Sequence, residues 1–200
     1  MIAIFAGLAA GLLHVFSGPD HLAAIAPLVI SGKSPRSAER FRVEGLAFGL
    51  QWGFGHTAGV LLIATLLLLL KEQLPLDAIS AHSERLVGLS LIVVGSWGVW
   101  KASRAVITPH AHTGASFVMG AIHGLAGSSH LFGVLPALAF SVLTDSMLYL
   151  AGFGLGAIAG MAAFAAGVGL ASIRLGQYRG LLYASSAAAL VIGGVWLIGR

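Results

Sequence analysis

Apolar residues fall in six long blocks separated by short polar connections. A helix that crosses a bilayer needs about 20 mostly apolar residues. The blocks predict such helices over about Ile2–Ile30, Gly45–Leu70, Leu86–Trp100, Ala115–Val142, Met147–Ser172 and Leu181–Gly199. Two blocks carry a polar interruption, Ser17-Gly18-Pro19-Asp20-His21 in the first and Gly127-Ser128-Ser129-His130 in the fourth. Gly18, Pro19 and Gly127 are read as helix breaks. The connections are Lys33–Arg42, Lys71–Arg85 with Pro75 as a breaker, Lys101–Gly114, a very short one at Asp145, and Arg174–Arg179. The expected fold is an all-α polytopic membrane protein of six transmembrane helices, the first and fourth broken.

The pattern repeats. At an offset of 109, Gly11, His14, Gly18, His21, Leu22 and Pro27 fall on Gly120, His123, Gly127, His130, Leu131 and Pro136. At 101, Gly53, Gly55, Ala58 and Gly59 fall on Gly154, Gly156, Ala159 and Gly160; at 99, Leu91, Gly95 and Trp97 fall on Leu190, Gly194 and Trp196. Each predicted helix of residues 1–104 thus has a partner, in order, in residues 115–200, and the whole chain reads as one domain. Three helices per repeat is an odd number, so the second copy is expected to enter the membrane inverted relative to the first. The first, third and fifth connections hold Lys33, Arg36, Arg40, Arg42, Lys101, Arg104, Arg174 and Arg179, against Lys71, Arg85 and Arg200 on the other side. The positive-inside rule puts the first group in the cytoplasm and both termini on the non-cytoplasmic side of a cell (inner) membrane.

Composition agrees with a lipid setting. The chain is 58% hydrophobic and 9% charged with mean hydropathy +0.94, where soluble domains carry roughly 25% charged residues. The net charge of +4 comes from loop residues that orient the chain, and no nucleic-acid partner is expected. The 28 glycines suit close helix packing in a bilayer, and the absence of cysteine excludes disulfides and thiolate ligands. No basic segment precedes the first apolar block, which is kept as part of the mature protein.

Ionisable groups inside apolar segments are costly and mark functional sites. His14, Asp20, His21, His56 and His123 lie inside such blocks, and His130 makes a sixth. Five imidazoles and one carboxylate suit nickel, cobalt, zinc or ferrous ions. Two inverted breaks would bring His14, His21, His123, His130 and Asp20 towards one midplane centre, with His56 beside them. Asp20 has three candidate roles: metal ligand, orienter of a ligating histidine, or proton-coupling group. Thr57, Ser128 and Ser129 are secondary candidates. Gly53, Gly55 and Gly59 read as packing residues, Trp97, Trp100 and Trp196 as interfacial anchors or packing, His82 as solvated, and His110 and His112 as residues of a flexible loop, with metal collection at an entrance the less favoured role.

His14 followed by Asp20-His21, with Phe54-Gly55-His56-Thr57 in the next helix, resembles the nickel/cobalt transporter family (NicO/NiCoT-like), especially its small urease-accessory (UreH-like) permease branch. Here five residues separate His14 from Asp20, where the classical nickel permeases have four. The resemblance implies nickel or cobalt transport across a prokaryotic or organellar inner membrane, with His14, Asp20 and His21 as the principal recognition residues and His56 next.

The expected function is therefore secondary transport of a divalent metal ion, not enzymatic catalysis. The ion is cargo, no permanent cofactor is expected, and the partners are the ion and membrane lipid, with a homo-oligomer compatible. Other readings are weaker. An anion exporter would need Arg or Lys deep in a helix, and an amino-acid exporter of similar helix plan is a further alternative. A thiol-disulfide carrier needs cysteines, and an intramembrane metalloprotease needs a Glu beside its histidines. A haem-binding electron carrier stays open, because paired membrane histidines can ligate haem. No Gly-x-x-x-x-Gly-Lys-Ser/Thr motif is present, so energy must come from a gradient, the membrane potential or a partner.

Overall fold

In a computed structural model, the backbone is described for residues 1–31, 38–70, 76–104, 113–125 and 128–198, and side chains for 1–31, 43–66, 82, 85–104, 115–125 and 133–198. All regular structure among these residues is helical. The elements are α1 (Ile2–Ser17), α2 (Pro19–Ile30), α3 (Ala38–Leu70), α4 (Leu76–Arg104), α5 (Thr113–Leu125), α6 (Ser128–Ala139), α7 (Leu143–Arg174) and α8 (Tyr178–Ile198).

The first apolar block breaks at Gly18-Pro19. Proline disfavours helical backbone in the residue before it, and Gly18 is extended at φ −86°, ψ 98°. Its N–H still donates to His14 O at 3.0 Å, closing the last turn of α1. Pro19 then opens α2, where its missing N–H costs no helical hydrogen bond. The two halves meet at 69°. The fourth block divides likewise into α5 and α6; Gly127 lies outside the described residues.

These breaks revise the expected six spans. Among the described residues, four helices are long and apolar enough to cross a membrane, and α1 with α2 makes a fifth if the bent pair counts as one. The remaining block yields α5 and α6 of 13 and 12 residues, each too short to span alone.

The polar connections are also shorter than expected. Lys101 and Arg104 belong to the last turn of α4 and Arg174 to that of α7, where positive charge complements the negative end of the helix dipole. Lys101 is not a loop residue: it is buried, with Nζ donating to Ser31 O at the end of α2 (2.7 Å) and lying 4.9 Å from the Trp97 ring. Arg179 Nε donates to Ala102 O near the end of α4 (3.2 Å). Both cations thus sit at the negative ends of helix dipoles. Asp145 lies in the first turn of α7, at a positive end.

The helices α3 and α7 form a central pair; α1 packs along α7, α5 along α3, and α4 along α8. Close backbone approach makes these pairs. A Cβ at Gly11 would collide with Phe153 O and crowd Ala157 N, and one at Gly156 would collide with Leu8 O and crowd Leu12 N. Between α3 and α5, a Cβ at Gly120 would collide with Trp52 O and crowd His56 N, and one at Gly55 would collide with Phe117 O and crowd Ala121 N. The second set is the first moved by the offsets of 109 and 101. Small residues permit such approach, which in lipid supplies association through van der Waals packing. Many large apolar side chains instead face outward, among them Phe5, Leu13, Phe54, Val93, Leu155, Val191 and Val195. A patchwork of that extent fits lipid contact better than water.

Gly120→Val should lower the thermal midpoint of the detergent-solubilised protein by about 3–10 °C, from an overpacking cost of about 1–3 kcal/mol. Gly167→Ala, inside α7 where a Cβ meets nothing within 4 Å, should not lower it, since alanine is favoured over glycine in a helix interior. Equal midpoints for the two variants would show that the backbone contact between α3 and α5 does not hold the fold.

Candidate metal centre

Three elements converge on one point. The last turn of α1 carries His14, the first turn of α2 carries Asp20 and His21, and the middle of α3 carries His56. His21 and His56 are fully buried, Asp20 and His14 nearly so. Ligand nitrogens of His14, His21 and His56 all lie within 4.8 Å of one another. The ring centroids are 4.8 Å apart for His14–His21, 4.9 Å for His21–His56 and 5.5 Å for His14–His56.

The break builds this geometry. A Cβ at Gly18 would stand 2.7 Å from His21 Nδ1 and 3.1 Å from Asp20 Oδ1. Glycine therefore leaves the room in which the Asp20–His21 pair sits. His21 Nδ1–H donates to Asp20 Oδ1 at 3.0 Å. A carboxylate only accepts, so the proton is on Nδ1 and the His21 lone pair is on Nε2. This is the carboxylate–histidine arrangement that orients metal ligands and raises their basicity. Of the three roles open to Asp20, the structure shows its contact with His21, a candidate ligand. The carboxylate also sits at the positive end of α2, whose partial charge it offsets.

His21 Nε2 and His56 Nε2 are 3.1 Å apart. Two nitrogens sharing one ion through bonds of about 2.0–2.1 Å, at angles of 90–109°, are separated by about 2.9–3.4 Å. Without an ion the same distance is a hydrogen bond in which His56 Nε2–H donates to His21. Binding therefore requires His56 to carry its proton on Nδ1 instead, a tautomer change that does not alter its charge. Axial haem ligation would need nitrogens on opposite sides of a porphyrin, about 4 Å apart through the iron. The 3.1 Å pair leaves no room for the macrocycle.

The other sequence candidates separate. His123, in α5, is fully buried, but its ring is 6.3 Å from that of His21 and outside the three-histidine set. The backbone of His130 lies in the first turn of α6, as that of His21 does in α2; the side chains of Ser128, Ser129 and His130 lie outside the described residues. His110 and His112 also lie outside them. The Thr57 hydroxyl donates to Gly154 O at 3.3 Å, and Thr57 is not in the three-histidine set. Gly53, Gly55 and Gly59 all face neighbouring helices at contact distance, and His82 is exposed.

Sequence reading passed over the Ser116–Gln51 pair, in which the hydroxyl donates to Oε1 at 2.7 Å between α5 and α3. Gln51, a polar residue inside an apolar block, was the available signal. At offsets of 109 and 101 the pair corresponds to Gly7 and Gly152, which let α1 and α7 meet by backbone contact alone.

The chain is 35% identical over 214 residues to Chloroplast protein FOR GROWTH AND FERTILITY 2 of Arabidopsis thaliana, covering 96% of this chain and 55% of that protein. It is 32% identical over 220 residues to Chloroplast protein FOR GROWTH AND FERTILITY 1 of the same plant, covering 96% and 58%. The chain thus spans about half the length of these two relatives. Urease accessory protein UreH of Bacillus sp. (strain TB-90) is 27% identical over 180 residues, covering 82% of this chain and 75% of that protein. No family model and no solved structure matches the chain.

Asp20→Asn keeps an acceptor for His21 but removes the charge. It should weaken cobalt(II) binding by about 10–100-fold, measured by calorimetry on the solubilised protein. Gly18→Ala should do the same by pushing His21 off Asp20. Wild-type affinity in both variants would detach the carboxylate from metal recognition.

Proposed function

We propose that this protein is a secondary transporter of a divalent transition metal ion, nickel or cobalt first. One observation carries the reading: three imidazoles, one oriented by a buried carboxylate, converge at the break of a bent apolar helix. Irregular backbone is tolerated at membrane depth only where it is enclosed by protein or lines a cavity, and transporters place their binding sites at such discontinuous helices.

The chemistry fits a cargo. A dication entering a bilayer protein loses hydration, and neutral imidazole nitrogens together with the negative charge of Asp20 offset that loss. A structural site closes four protein ligands round its metal, whereas three ligands leave a coordination position open. An open position lets water or another ligand enter as the ion departs, which suits release. Imidazole-rich ligation without thiolate fits nickel, cobalt or zinc among available ions. The likeness of His14, Asp20-His21 and Phe54–Thr57 to nickel/cobalt transporters, and the similarity to a urease accessory protein, favour the first two.

In this reading α5 with α6 is a second broken span, giving six spans in two inverted halves, with the basic connections in the cytoplasm. The membrane is the inner membrane of a prokaryote or of an organelle; two relatives carry "chloroplast" in their names. The protein moves its ion without catalysing a reaction and without a resident cofactor.

Flux of Ni, Co, Zn and Mn across membranes of cells expressing the protein tests this. Wild type is expected to move nickel or cobalt, and His21→Ala should abolish that flux with the protein still in the membrane. Unchanged flux in both His21→Ala and Asp20→Ala would remove the site from the transport path.

A further inference from the structure

His123 stands one ring beyond the three-histidine set, yet it is prepared for the same chemistry. Its Nδ1–H donates to Met119 O, one helical turn back, at 3.0 Å. That bond fixes the tautomer and leaves the lone pair on Nε2. Nε2 is buried and has no hydrogen-bond partner among the described residues. Burying a polar atom unpaired is costly, so an apolar residue would be the better choice if packing were its sole task. The neighbour on the far side repeats the theme. The Trp52 ring lies 5.1 Å from that of His123, and its buried Nε1 has no partner among the described residues either.

The offsets make this a counterpart of the first half. His123 corresponds to His14, and Trp52 to Phe153, whose ring lies 5.4 Å from His14. An aromatic ring therefore backs the histidine in each half. Three differences set the second place apart: Ala157 stands where a second His56 would be, Ser129 replaces Asp20 in sequence, and tryptophan supplies an N–H where phenylalanine has none.

We propose that His123 is a second coordination position for the transported ion, reached from the first by sharing His21. This rests on the transport reading. The ion exchanges nitrogen ligands: a bond to His123 Nε2 forms as the bonds to His14 and His56 are released. His123 accepts the ion as a neutral ligand, so no proton need leave it. With fewer imidazoles among the described residues, this position holds the ion more weakly than the first, and the coordination left open is filled by water. The Trp52 N–H is a donor suited to the oxygen of such a water.

Cobalt(II) titration of the solubilised protein, followed by calorimetry and visible absorption, is paired with cobalt flux into proteoliposomes. His123→Ala is expected to bind cobalt within about threefold of wild type while its flux falls about tenfold or more, the signature of a contact made along the path rather than at rest. His14→Ala should lose binding and flux together. His123→Gln keeps a side-chain donor for Met119 O but offers no imidazole, and it should match His123→Ala in flux; recovery to the wild-type rate would make the role of His123 structural. Wild-type flux in His123→Ala overturns the inference, as does a loss of binding equal to that of His14→Ala, which would make His123 a ligand of the first set. A wild-type protein that neither binds nor moves any metal overturns the transport reading as well.

Discussion

Backbone-to-backbone packing between glycine-bearing helices is the constraint on which the rest depends. Glycines 7, 11, 152 and 156 seat α1 on α7, and glycines 55, 59, 120 and 124 seat α3 with α5. In lipid there is little hydrophobic drive to press one apolar helix on another, so contact area and close approach must supply association. The short interhelical distance has a chemical consequence. Imidazoles are small, and three of them reach one ion only if their helices nearly touch. His56 lies one residue from Gly55, and His14 one turn from Gly11, so the residues that close the helix pairs also set the spacing of the rings.

The second organising feature is the break after α1. A continuous helix would carry His14 and His21 about two turns apart on one face, roughly 10 Å along the axis. With Gly18 extended, Pro19 opening a new helix and a 69° bend between the two, the rings close to 4.8 Å. The break also gives the buried charge its place: Asp20 sits at the positive end of α2 and holds His21 Nδ1, while His21 Nε2 meets His56 Nε2 at 3.1 Å. At the other end of α2, Lys101 holds the terminal carbonyl. The half-helix is anchored by a cation at its negative end and bears an anion at its positive end.

The two halves share a packing plan and differ in chemistry. His56 is matched by Ala157, Phe153 by Trp52, Asp20 by Ser129, and the glycines Gly7 and Gly152 by the hydrogen-bonded Ser116 and Gln51. The scaffold is thus repeated, while the residues it presents around the histidines are not. The similarity to a urease accessory protein and to two chloroplast proteins spans most of this chain.

Much of this was legible in the chain itself. Long apolar blocks with few charges determine helices and a lipid setting whatever the tertiary arrangement, because backbone polar groups must be satisfied within each segment. The offset between His14, Gly18, His21 and their later counterparts exposed the repeat, and Gly-Pro before Asp-His marked the break. Other decisions belonged to the tertiary structure. Whether a block is one span or two short helices depends on how each half packs, so six expected spans became four or five among the described residues. Lys101 read as a loop residue because its partner, Ser31 O, lies 70 residues away in sequence. Among the six candidate ligands, folding put three imidazoles together, gave Asp20 to His21, and left His123 a ring away. Residue type determines which chemistry an atom can perform, whereas its distance and direction to a partner arise only when distant helices meet.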